Sequence, residues 1–208
     1  MCIKAPLEVI DREEGQRPSA NLYPLMRLAL ASLVCAAVLV AGCGSHPKSA
    51  APSKAAELKA FAGSPPVLVS VHKEAGQLLA GGTSAFKQRL AELRGHPVVV
   101  NKWAAWCGPC RQEFPVFQKV SVQYGKRVAF LGVDSNDNDG DAKTFLKQFP
   151  VSYPSYSDPH IKIAASMDAV GAWPTTVIYN SHGKIVNTHF GPYTSASALE
   201  ADIKKYAQ

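Results

Sequence analysis

The chain has 208 residues, 47% of them hydrophobic and 18% charged, which is enough for one globular domain with a real core and excludes disorder throughout. Fifteen Gly and fifteen Pro follow no fixed period, so collagen-like and repeat architectures are excluded as well. The formal net charge is +6, but Lys and Arg are scattered, with adjacent pairs only at Lys126-Arg127 and Lys204-Lys205; this reads as a solvated basic surface and not as a nucleic-acid site.

Residues 1–25 carry mixed charges without helical or strand periodicity and read as a non-native or unstructured extension, with Met26 as the expected start. From there the pattern changes to Arg27, an apolar run over residues 28–40, and Ala41-Gly42-Cys43. The run is shorter than the roughly 18 apolar residues of a spanning helix, and a basic start before small residues is the layout of a secretory signal over residues 26–42. Val40-Ala41-Gly42-Cys43 also resembles a bacterial lipoprotein cleavage box, which implies lipidation of Cys43 and anchoring to the outer face of the cytoplasmic membrane. Removing residues 1–42 takes away four basic and four acidic residues, so the charge stays +6, which favours a position near anionic lipid. Residues 43–66, rich in Ser, Pro and Ala, read as a flexible tether in which residues 55–61 can form a turn or two of helix.

The folded domain is expected over residues 67–208. Residues 67–71 are β-branched and read as a short edge strand. Gly81-Gly82 makes a turn, and Thr83 or Ser84 caps a helix with Phe86, Leu90 and Leu93 at helical spacing, ended by Gly95-His96-Pro97. Val98, Val99 and Val100 with Trp103 form a central strand buried on both faces. Residues 107–124 form a helix bent by Pro115, and residues 128–133 a second buried strand. Residues 139–149 are helical, with Ala142, Phe145, Leu146 and Phe149 on one face. Residues 176–179 and 185–190 flank a hairpin loop, and residues 199–206 close the chain as a helix. This β-α-β-α-β-β-α order predicts an α/β fold with a mixed central sheet and helices on both faces.

Of the five cysteines, Cys2, Cys35, Cys43, Cys107 and Cys110, only the last two are close enough to act together inside a folded domain. A lone C-x-x-C lacks the second pair or the two His of a structural zinc site. A redox pair with no metal and no further cofactor is the leading reading; an inert disulfide or a two-thiolate soft-metal site are its rivals. The motif follows a buried strand and opens a helix. Cys107 at that N-terminus meets free N–H groups and the positive end of the helix dipole, which favour a thiolate and make it the nucleophile. Cys110, one turn later, is the more buried resolving thiol. Pro109 is tolerated in the first turn, and Trp106 flanks the sulfur as an apolar contact surface.

Trp106-Cys107-Gly108-Pro109-Cys110, Val151-Ser152-Tyr153-Pro154 and Gly171-Ala172-Trp173-Pro174-Thr175 together resemble the thioredoxin fold. Cys110-Arg111-Gln112-Glu113-Phe114-Pro115 is most similar to the membrane-tethered TlpA/ResA-like thiol-disulfide oxidoreductases. The resemblance covers residues 67–208. It implies a thioredoxin-like enzyme, with Cys107 and Cys110 catalytic and Trp106, Gly108, Pro109, Trp173 and Pro174 at the substrate. Pro174 is implied to be cis and to face the pair, with the Trp173 backbone available to a client strand. Trp173 is bulkier than the residue usual at its place, which predicts a narrowed docking groove. The implied partners are protein thiols and disulfides and a membrane electron donor, and the expected state is a monomer. The implied direction is reduction, with the C-x-x-C of apocytochrome c as one client.

Thioredoxin's buried Asp corresponds here to Asn101, and its Lys partner to Phe130. An Asn accepts no proton at neutral pH, so the acid-base role passes to water, to Glu113 or to nothing; Glu113 reads as a favourable charge in the first helical turns and not as catalytic. Lys102 reads as a solvated strand-edge residue. Residues 135–140 mimic a calcium loop, but Leu146 stands where the bidentate Glu is required, so a helix cap is expected. The six His show no i, i+4 pairing and read as surface residues. A copper-binding module that performs no turnover is the alternative function, and Ala104, in place of Thr, three before Cys107 disfavours a peroxidase.

Overall fold

The computed structural model describes residues 54–207; the signal over residues 26–42, the extension before it and Cys43 lie outside them. The helices are α1 (Lys54–Phe61), α2 (Pro66–Lys73), α3 (Gly82–Glu92), α4 (Gly108–Tyr124), α5 (Asp139–Gln148), α6 (Lys162–Ala165) and α7 (Ala196–Tyr206). The strands are β1 (Leu78–Leu79), β2 (Val98–Trp103), β3 (Ala129–Ser135), β4 (Ser155–Asp158), β5 (Thr175–Tyr179) and β6 (Ile185–Phe190). They form one mixed sheet in the order β1-β4-β3-β2-β5-β6.

The two innermost strands follow from their sequences. All six residues of β2 and all seven of β3 are buried, and because strand side chains alternate, such runs need cover on both faces. β2 runs parallel to β3, with Trp103 opposite Asp134, and antiparallel to β5, with Lys102 opposite Thr175. The C-terminal end of β2, the end of β3 and the start of β5 therefore meet at one end of the sheet. On one face Trp103 stacks on Phe145 of α5 and meets Phe114 of α4 edge-on, and each buried aromatic of this kind stabilises the domain by about 1.5–3 kcal/mol. Gly132 fits under this cluster: a Cβ there would run into Ser155 Oγ and crowd Trp103 Nε1, and Trp103 Nε1 donates to that same Ser155 Oγ at 3.1 Å.

Several expectations are corrected. Residues 67–71 are helical: Pro66 sits in the first turn of α2, where its fixed φ suits a helix, and Leu68 and Val71, three apart, face the core. Within the expected tether, α1 covers the residues expected to form a turn or two of helix; it packs on α4, and Phe61 stacks on His72, with ring centroids 3.4 Å apart. That ring is half-buried between the carbonyls of Ser152 and Gly125, so His72 is no surface residue. Gly81, with φ 102°, takes the N-cap of α3 in place of Thr83 or Ser84; a left-handed φ suits Gly. β1, β4 and α6 have no counterpart among the expected elements. In the expected helix cap, Asn138 accepts from the Asp141 N–H at 3.0 Å and opens α5.

Candidate active site

β2 ends at Trp103, and Ala104, Ala105 and Trp106 lead to Cys107, the N-cap of α4. Cys107 and Cys110 are joined as a disulfide, and the Cys110 N–H donates to Cys107 Sγ at 3.1 Å. The sulfur thus receives one of the helix's unsatisfied N–H groups, the environment that favours a thiolate when the bond is reduced. Cys107 is 3% exposed and Cys110 0%. The order is the one expected, but in the disulfide form Cys107 is nearly as buried as Cys110. Gly108 and Pro109 open the helix and are exposed.

The loop after β3 organises the surroundings. Ala105 N–H donates to Asp137 Oδ2, Trp106 Nε1 to the Asn136 carbonyl at 2.9 Å, and Trp173 Nε1 to the Ser135 carbonyl at 3.0 Å. One loop therefore holds both the segment before the disulfide and the segment before Pro174. The Trp173-Pro174 bond is cis, and Pro174 is buried. The indoles of Trp106 and Trp173 lie 5.6 Å apart at 48°, Trp106 being 54% exposed. Arg111 braces the approach by donating to the Ala105 carbonyl at 2.6 Å.

Two residues depart from expectation. Glu113 is fully buried, three residues beyond Cys110 on the inward face of α4, so it is not a solvated charge favouring the helix end. Burial pushes its carboxyl up to about 8, against a hydrogen bond from the Tyr193 N–H and the nearby Asn101 amide. Asn101 also faces Tyr153, whose hydroxyl burial pushes well up. Apart from Glu113 Oε2, the polar side-chain atoms of this trio lack a well-formed partner among the described residues. Phe130, where thioredoxin has Lys, stacks near Tyr153 at 6.0 Å, so the pocket holds no cation from that position.

Lys102 is likewise fully buried and lies on a central strand, not at an edge. Its Nζ donates to the Ala169 carbonyl at 2.6 Å and sits 3.5 Å from the Trp173 ring centroid. Burial lowers it to about 8, with Asp158 opposing the fall. A strand buried on both faces leaves position 102 no solvent, so the sequence held the signal for this placement. Among the described residues no group of three or more His, Cys, Asp or Glu gathers as metal ligands, and no helix is long and apolar enough to cross a membrane.

Comparison with known proteins gives the same picture. Residues 71–188 match the model of the AhpC/TSA family. The chain is 28% identical over 138 residues to the thiol-disulfide oxidoreductase ResA of Bacillus cereus, covering 66% of this chain and 79% of that protein. To the ResA of Halalkalibacterium halodurans it is 32% identical over 114 residues, 53% of this chain and 63% of the other. Among solved structures, the Chlorobium tepidum protein assigned as thiol:disulfide interchange protein DsbE superposes with a TM-score of 0.52 at 31% identity, covering 56% of this chain and 83% of its own.

Proposed function

Because the chain belongs to the AhpC/TSA family and is a thiol-disulfide oxidoreductase, we propose that it reduces disulfides of extracytoplasmic proteins through Cys107 and Cys110 while anchored by lipid at Cys43. The observation that carries this reading is the disulfide at the start of α4, with Cys107 Sγ accepting the Cys110 N–H. Export and anchoring are supported by the basic, apolar and Ala-Gly-Cys layout of residues 26–43.

In the dithiol form the Cys107 thiolate attacks one sulfur of a client disulfide. A Cys107–client bond forms, and the client's other sulfur leaves as a thiolate that takes up a proton. Cys110 then gives up its proton and attacks Cys107 Sγ, which forms the intramolecular disulfide and releases the second client thiol. Glu113, one turn along the same buried face, is the base assigned to that proton, since burial keeps its affinity near that of a thiol. Two electrons pass to the client and are restored by a membrane electron donor, so the couple needs no cofactor beyond its own sulfurs. Trp106, Gly108, Pro109 and Trp173 form the surface that meets the client, with Pro174 buried behind it and shaping the backbone there, and an apocytochrome c C-x-x-C is a fitting one. The test is Cys110→Ser in intact membranes: a covalent adduct between Cys107 and a client is expected, and its absence where a control enzyme is trapped overturns the proposal.

A further inference from the structure

The thiol chemistry makes no use of Lys102, yet few groups are less expected where it stands. An ammonium taken wholly out of water is costly unless its N–H groups find partners, and here two are supplied: the Ala169 carbonyl at 2.6 Å and the face of the Trp173 indole, 3.5 Å to its centroid. Indole is the aromatic that binds a cation best. The far edge of the same indole is fixed by Nε1 donating to the Ser135 carbonyl, so Trp173 is held from beneath and at its rim. The ammonium belongs to the strand that runs into the Cys107 segment, and both of its partners belong to the segment that ends in Pro174. Trp173 in turn stands 5.6 Å from Trp106, itself tethered to the Asn136 carbonyl.

We propose that Lys102 is a positioning residue for client docking: its ammonium fixes the Trp173 indole against Trp106, so that the two rings form a preset apolar wall beside Cys107 that selects client disulfides flanked by an aromatic side chain. This rests on the oxidoreductase reading above. A wall fixed in advance spares the client the cost of ordering it, so its benefit appears in binding and not in the sulfur exchange.

The test uses the reduced full-length chain with two cystine peptides that differ only in a Phe or a Ser beside the cystine, and with 5,5′-dithiobis(2-nitrobenzoate) as a small disulfide. The wild type is expected to show a KM about tenfold lower for the Phe peptide. Lys102→Gln, which keeps a donor for the Ala169 carbonyl and removes the cation, is expected to shrink that preference about fivefold, through KM and not kcat. Lys102→Arg, which keeps a cation for the indole, restores it. A Lys102→Gln chain with the full preference, or one that loses kcat in equal proportion on all three substrates, overturns the assignment. If Lys102→Gln does not fold, Trp173→Leu decides: the preference must fall although Lys102 is intact, and its persistence overturns the proposal. A Cys107→Ser chain that still turns over the peptides removes the underlying reading as well, which separates the two failures.

Discussion

The backbone N–H of Tyr193 donates to Oε2 of Glu113 at 3.1 Å, while Oε1 of that buried carboxyl has no hydrogen-bond partner among the described residues. The carboxyl, one helical turn after Cys110, is thus held by a residue distant in the sequence, and its proposed role in the resolving step is testable. Activity limited by the resolving step is expected to rise through about pH 8, where Glu113 ionises, and Glu113→Gln is expected to flatten that rise and lower kcat by about 10²-fold. Stopped-flow thiol release across pH checks both.

Glu113 also makes stability depend on pH. Its affinity for a proton is raised on folding from 4.5 to about 8, so between those values the folded chain binds more protons than the unfolded one and stability falls as pH rises. The wild type is expected to lose on the order of a few kcal/mol between about pH 5 and pH 8. Glu113→Gln removes this slope, and urea midpoints at several pH values measure it.

The two cysteines are expected to fail differently. Cys107→Ser abolishes insulin reduction with dithiothreitol, while Cys110→Ser retains the first attack and accumulates mixed disulfide, because only Cys110 can resolve it. Mass spectrometry of each variant after exposure to a disulfide client distinguishes them.

Gly132→Ala is expected to destabilise the fold by about 1–3 kcal/mol, since the new methyl enters the space of Ser155 Oγ and disturbs its bond from Trp103 Nε1. Chemical denaturation reads this directly. The nucleophile's own chemistry is expected to persist in whatever fraction stays folded.

Where sequence reading succeeded, one force dominated. Val98 to Val100, the residue types of β3 and the spacing of Ala142, Phe145 and Leu146 all report burial, and the sheet and α5 follow from it. It failed where a second influence outweighed composition. In α2 the β-branched run prefers a strand, but Pro66 and the inward positions of Leu68 and Val71 make a helix. β4 reads Ser-Tyr-Ser-Asp and shows no apolar alternation, because its buried polar atoms are used as partners: Asp158 accepts from the Ile163 and Ala164 N–H groups, and Ser155 from Trp103. The Cys pair was legible because its chemistry lies in adjacent residues. The burial of Lys102 was implied by its strand, but the partners of Lys102 and Glu113 were not legible, because the hydrogen bonds to Ala169 and Tyr193 span 67 and 80 residues.

The anchors of the two indoles are main-chain oxygens, those of Ser135 and Asn136. A carbonyl is present whatever amino acid occupies its position, so the anchorage depends on the backbone path and on the side chains at 135 and 136 only in so far as they keep it, as Asn136 does at its positive φ. Loss of either ring has no such insurance. Replacing either ring removes its contact outright, whereas in the supporting loop the demand falls on the backbone path, which the positive φ of Asn136 and the Asp137 side chain under Ala105 hold in place.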